Sequence, residues 1–212
     1  MSKVIVLGAG LSGLASAALL ARAGHQVTVL ERHDWLGGKS RRITVAGQSM
    51  DTGPALVTFT GVWDKLLDRY DQLGNKTSKT AKEIADINFV KLNELGRYYY
   101  QDDITDLPVK KDHKWFVAWE RFEKDHAPLT DPITELLTKM PTDPASLPSL
   151  AKLQKRYGLR LTTSLYLKGL KWMPKELKDI IAIHTLNAGI APSKTLALYA
   201  SMTAVMATDG IK

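Results

Sequence analysis

Gly8, Gly10 and Gly13, with Glu31 eighteen residues beyond the last of them, are the residues of this chain best suited by type and spacing to do chemistry. Residues 4–7 (VIVL) read as a short buried strand, residues 14–23 as a helix, and residues 27–30 (VTVL) as a second strand that ends on the acid. Strand, glycine turn, helix, strand and terminal carboxylate form the pattern of a βαβ unit that binds a dinucleotide. Gly8 permits the sharp turn off the strand, Gly10 lets the backbone approach a diphosphate, and Gly13 lets the helix pack against the strands. The loop residues Ala9, Leu11 and Ser12 complete the turn, and the start of the helix offers unpaired N–H groups and the positive end of its dipole. The carboxylate of Glu31 is expected to accept hydrogen bonds from ribose hydroxyls, and its charge disfavours a 2′-phosphate.

The elements that must hold these residues come from a chain of 212 residues, enough for one large domain or two small ones. It has no cysteine, which excludes disulfides and thiolate metal sites, and its five histidines show no metal-ligand spacing, so no metal site is expected. The net charge of +7 suggests an acidic partner or surface, with an inert basic exterior as the plainer reading, and nothing points to nucleic acid. The glycines and the strand that follows exclude reading the apolar start as a secretory leader. The most apolar late stretch, 195–207, falls short of the ~20 residues of a spanning helix. A cytoplasmic protein is expected.

After Glu31 and Arg32, a second loop carries Gly37, Gly38 and Lys39, again suited to approach phosphate. Residues 43–45 and 48–51 predict a hairpin turning at Ala46-Gly47; Asp51, Gly53 and Pro54 form a turn; residues 61–73 form an amphipathic helix. Residues 75–82 read as loop, and residues 87–92 with 97–101 as a hairpin around 93–96. From Lys110 onward the chain reads as helices punctuated by proline: 112–126, 133–139, 149–157, 174–187, and a last helix entered at Pro192-Ser193. No third parallel strand follows the first two, so the sheet is expected to be incomplete, as in a fragment or a product needing a partner chain.

These motifs resemble the carotenoid desaturases of the bacterial phytoene-desaturase type, within the amine-oxidase-like flavoproteins, and among them the branch acting on hydroxylated or acyclic carotenoids, the 3,4-desaturases. The resemblance rests on Gly8, Gly10, Gly13 and Glu31, on Leu36-Gly37-Gly38-Lys39, and on Asp51-Thr-Gly53-Pro54 followed by the 62–67 helix. It implies FAD as cofactor, with its ADP half on the first loop and its flavin near Asp51, Gly53 and Pro54. It also implies a lipophilic carotenoid substrate that loses hydride to the flavin, and a peripheral position on the inner face of the cell membrane. The family's double-glycine motif usually has an arginine before it and a serine or threonine after it, where this chain has Trp35 and Arg42; Ala55 stands where threonine is common.

The fold class expected is therefore α/β: a Rossmann-like FAD-binding βαβ unit with an incomplete sheet over 1–74, a mainly helical α+β substrate and membrane-associating region over 75–207, and a return segment at 208–212. Within the second region, residues 165–178 interleave lysines with large apolar groups around Trp172, as at an anionic membrane surface or as a basic helix end over a core. Trp115, Phe116, Trp119 and Phe122 are expected in the core. No residue stands out as a catalytic acid or base. The alternatives are another flavin oxidoreductase, such as an amine oxidase or a retinol saturase-like enzyme, and a non-catalytic half-protein completed by a second chain.

Overall fold

The computed structural model describes residues 1–53, 57–75, 79–140 and 142–209. Two compact units divide the chain, Met1–Phe89 and Val90–Lys212. In the first, β1 (Lys3–Leu7) and β2 (Gln26–Leu30) pair in parallel, Val4 opposite Val27 and Val6 opposite Val29, with α1 (Leu11–Arg22) between them in sequence. Among the described residues this sheet has two strands, as expected from the sequence. The four valines are half-buried on one face, while Ile5, Leu7 and Leu30 lie exposed on the other.

The hairpin read at 43–51 forms as β3 (Arg42–Val45) and β4 (Gln48–Asp51). Ala46 and Gly47 turn it with positive φ of 49° and 78°, the sense that matches strand twist. The amphipathic helix forms as α2 (Thr60–Gln72), its apolar side set by Trp63, Leu66, Leu67 and Tyr70. Of residues 75–82, read as loop, 76–78 lie outside the described residues, and α3 (Ala81–Ala85) begins at the end of the stretch under a capping box of Thr80 and Glu83. The Asp71 carboxylate accepts the Ala81 N–H and the Lys82 ammonium pairs with Asp64 at 2.9 Å, which return α3 to α2. That return carries the first unit to Phe89, past the end of α2.

In the second unit the expected hairpin is displaced. The strands are β5 (Gly96–Tyr100) and β6 (Asp103–Leu107), with Gln101 in the left-handed region at the turn, and residues 87–92 form no strand. The strand DITDL was hidden by its acids. Asp106 is buried because Arg97 on the opposite strand grips it at 2.7 Å and Lys110 at 2.5 Å, and these cations hold its carboxyl far below the ordinary range. The Tyr98 hydroxyl meets His184 Nε2 at 2.6 Å and the Tyr100 hydroxyl donates to Asp179 at 2.7 Å, fixing the hairpin to the helical part.

The helices are α4 (Phe116–His126), α5 (Thr130–Thr138), α6 (Leu147–Tyr157), α7 (Thr163–Gly169), α8 (Lys175–Ile183) and α9 (Met202–Asp209). Four corrections apply. The helix read from 112 begins only at Phe116; α7 was not anticipated; the helix read to 187 passes into a 3-10 turn at His184; and the last helix starts at Met202 after a 3-10 segment, Ala197–Ser201. Thr162, whose hydroxyl accepts the Leu165 N–H, marks the start of α7, a capping signal easily lost in a run of threonine and serine. Trp115, Trp119 and Phe122 are buried as expected, and Phe116 is half-buried.

His126, fully buried, stacks on Phe122; its Nδ1–H donates to the Phe122 carbonyl at 2.6 Å and its Nε2 accepts from the Tyr166 hydroxyl at 2.7 Å. This arrangement suits the neutral ring, and burial pushes its pKa down from 6.5 to about 4. A base with a depressed folded pKa stabilises the fold fully above its unfolded pKa and loses that contribution as pH falls through the folded one. Stability is therefore expected to drop by roughly 3 kcal/mol between pH 6.5 and 4. Urea unfolding across that range measures it, and His126→Gln should flatten the slope.

Candidate functional site

Three glycine-bearing loops of the first unit are nested by backbone contact. Gly8, at φ +95°, turns off β1 and donates its N–H to the Leu30 carbonyl at 2.7 Å, so the loop is tied to the end of β2. A Cβ placed on Gly13 would lie 2.0 Å from the Gly8 carbonyl oxygen, so only glycine lets α1 start this close to the strand. The second loop folds onto the first: Gly37 donates to the Ala9 carbonyl at 2.8 Å, Gly10 and Gly37 form a parallel bridge, and a Cβ on Gly38 would stand 3.0 Å from Gly10 Cα. The third closes on the second, since a Cβ on Gly53 would fall 1.8 Å from the Lys39 carbonyl oxygen.

The cradle therefore has the shape a diphosphate requires. Gly8 and Gly10 put no side chain into it, and the first turn of α1, capped by Gly10 with no side-chain hydrogen bond, leaves its first N–H groups without intrahelical partners. Leu11 and Ser12 on that turn are exposed, whereas Ala9 is wholly buried. These features fit the ADP half of a dinucleotide.

Glu31 departs from the expectation of a carboxylate given over to ribose. Its Oε2 accepts the Ala9 N–H at 2.6 Å and its Oε1 accepts the His33 N–H at 2.9 Å. The acid thus ties the first glycine loop to the end of β2 and closes the local turn at His33, and each oxygen keeps a further lone pair for a ligand hydroxyl. The Ala9 bond first, then the His33 bond, holds its pKa below the ordinary carboxylate range. Because the unfolded carboxyl takes up its proton at higher pH than the folded one, this contact stabilises fully above about pH 4.5 and is lost as the pH falls through the lower folded value. Glu31→Gln should lower the melting temperature of the chain at pH 7 and bring wild type and variant together in acid, which thermal denaturation at several pH values will read.

Asp51 is likewise engaged. Arg42 grips it by two hydrogen bonds across the hairpin, at 2.8 and 3.1 Å, in an exposed ion pair. Arg42 therefore fastens β3 to β4 at the position where the resembled family has serine or threonine. Arg32 reaches the His33 ring at 3.3 Å, and the Lys39 side chain is exposed. Pro54 lies outside the described residues, as does Ala55. Sequence reasoning missed Thr52, whose N–H and hydroxyl both donate to the Arg41 carbonyl, at 2.8 and 3.0 Å, and the stack of Trp35 with His33 and Arg41. The run of aromatic and cationic residues at 32–42 was the available signal.

Residues 6–73 match the family described as NAD(P)-binding Rossmann-like domain. The chain is 34% identical over 102 residues to 1-hydroxycarotenoid 3,4-desaturase of Flavobacterium sp. (strain P99-3), covering 48% of this chain and 19% of that protein. It is 44% identical over 66 residues to hydroxyneurosporene desaturase of Cereibacter sphaeroides, covering 31% of this chain and 13% of that protein. The chain resembles the carotenoid desaturases. Phytoene dehydrogenase of Streptomyces griseus aligns at 26% identity over 98% of the chain and 42% of its own length. The chain thus spans less than half the length of the curated desaturases it matches. Putrescine oxidase bound to putrescine superposes with a TM-score of 0.58 at 18% identity, over 97% of this chain and 42% of that one, a likeness of fold. The motifs that carry the desaturase resemblance are those that build the three nested loops.

Proposed function

We propose that this chain belongs to an FAD-dependent desaturase that introduces carbon–carbon double bonds into acyclic carotenoids. The observation that carries the proposal is the nesting of the three glycine loops in a chain similar to hydroxycarotenoid and phytoene desaturases. Gly8, Ala9, Gly10, Leu11, Ser12 and Gly13 would hold the diphosphate, with Glu31 and Arg32 at the ribose. Gly37, Gly38 and Lys39 would close over the diphosphate, and Asp51, Gly53 and Pro54 would flank the flavin. FAD, when bound, supplies the acceptor for the hydride removed from the substrate. The protein's part is to bind and orient it: Glu31 fixes the first loop to the end of β2, and Arg42 with Asp51 fixes the third turn.

The substrate's insolubility in water suggests a position on a membrane surface, and the second unit has a face suited to it. Residues 144–175 contain seven Lys or Arg and no Asp or Glu. Leu159 and Leu161, on either side of Arg160, are 89% and 67% exposed, and Leu165 lies exposed on α7. Leu161, with Leu137 and Leu196, also lines an apolar groove of about 530 Å³ between α5, α6 and the segment before α9. Apolar side chains projecting among cations suit an anionic bilayer interface. Trp172 is half-buried with the Arg121 guanidinium 4.3 Å above its ring, so the leucines are better placed than Trp172 to enter lipid. Among the described residues no helix is long and apolar enough to cross a membrane.

Titration of the purified chain with FAD, followed by flavin absorbance after gel filtration, tests the cofactor. The FAD-loaded protein incubated with acyclic carotenes in anionic liposomes tests the reaction, whose expected product absorbs at longer wavelength. Turnover of amines with no change in carotenes would overturn the desaturase reading.

A further inference from the structure

We propose that Arg41, seated on Trp35, is a diphosphate-binding residue of the nested-loop site; the proposal rests on the dinucleotide reading above. Trp35 and Arg41 stand at the two ends of the double-glycine loop, Leu36 to Ser40. The Arg41 guanidinium carbon lies 3.8 Å from a Trp35 ring centroid, and Trp35 stacks with the His33 ring at 4.1 Å and 16° between planes. This stack closes the loop at its base, while the turn from Gly37 to Ser40 is closed by the Ser40 N–H at 3.1 Å from the Gly37 carbonyl. The Arg41 carbonyl is held in turn by Thr52.

Four cations lie in residues 32–42: Arg32, Lys39, Arg41 and Arg42. Arg42 is taken by Asp51, and Arg32 leans on His33. Arg41 is exposed and its guanidinium makes no hydrogen bond or ion pair with the described residues. A guanidinium over an aromatic ring uses its face, and its in-plane N–H edge stays available for two parallel bonds to phosphate oxygens. Its chain is ordered by the stack before a ligand arrives, so less side-chain entropy is lost on binding than for the unstacked Lys39. Gly37, bridged to Gly10, places the loop so anchored against the first phosphate-binding turn. Trp35 is then a positioning residue that acts through Arg41.

Calorimetric titration of the chain with FAD, ADP and adenosine tests the assignment. Arg41→Ala should weaken FAD and ADP roughly tenfold, flatten the salt dependence, and leave adenosine within about twofold. Trp35→Ala should reproduce that pattern, Trp35→Phe should retain most of the affinity, and the double variant should lose little more than either single one. Unchanged affinity of Arg41→Ala for FAD and ADP would overturn the proposal, as would an equal loss for adenosine, which marks a purely structural role. Wild-type binding of ADP without FAD would leave Arg41 in place and remove the FAD reading. Wild-type protein that binds none of the three overturns both.

Discussion

Replacing Gly13 by alanine is expected to abolish nucleotide binding and to destabilise the first unit by about 3 kcal/mol. The added Cβ would fall 2.0 Å from the Gly8 carbonyl oxygen, a backbone atom that cannot rotate away. Gly8 is itself tied to Leu30 at 2.7 Å, so relief requires α1 to move off the strands or the Gly8–Leu30 bond to break. Either movement carries the first turn of α1, with its free N–H groups, away from the place proposed for the diphosphate. A melting curve and an FAD titration on the same variant separate the two effects. A Gly13→Ala protein that melts and binds as wild type would mean that α1 starts farther from β1 than described. Gly53→Ala should act similarly through the Lys39 carbonyl, but on the second loop, leaving α1 in place.

The second large effect is expected in the helical unit, where Trp119→Ala should cost about 3–5 kcal/mol. Trp119 is 1% exposed and packs against Phe122, which is wholly buried, with ring centroids 6.0 Å apart. Truncation leaves a cavity among α4, α9 and their neighbours that rigid helices close only in part. The indole Nε1–H is buried without a hydrogen-bond partner among the described residues, so the polar atom of this side chain contributes nothing favourable. Trp119→Phe, which keeps most of the volume and removes that donor, should therefore cost only about 1 kcal/mol. Chemical denaturation of the three proteins gives the ratio. Equal losses for Ala and Phe would show that the indole nitrogen matters, through a partner such as a bound water.

The sequence alone determined the ligand-facing skeleton of the first unit. Glycine spacing, apolar runs and the acid at the end of β2 are local patterns whose geometry follows from backbone sterics and side-chain periodicity. The tight turn at Ala46-Gly47 was legible for the same reason. Tertiary structure alone decided what those residues touch. Glu31 was read as a ribose ligand, and its oxygens also hold the Ala9 and His33 N–H groups, because the first glycine loop folds back onto the end of β2. Gly53 was read as a turn glycine beside a flavin, and it proves to be required by the Lys39 carbonyl, fourteen positions earlier. Asp51, likewise assigned to the cofactor, also holds Arg42 across a hairpin.

In the second unit less was legible. The strand at 103–107 was masked by acids that become tolerable only when Arg97 and Lys110 reach Asp106 and Lys114 reaches Asp103, and α7 begins at a threonine cap that composition does not single out. Side-chain pairings of this kind leave no periodic trace in either segment. The stack of Arg41 on Trp35 belongs to the same class: two residues six apart with no pattern linking them, brought together because the double-glycine loop turns back between them. Backbone rules fixed where this chain bends, and side-chain contacts across those bends fixed which of its charges remain available to a ligand.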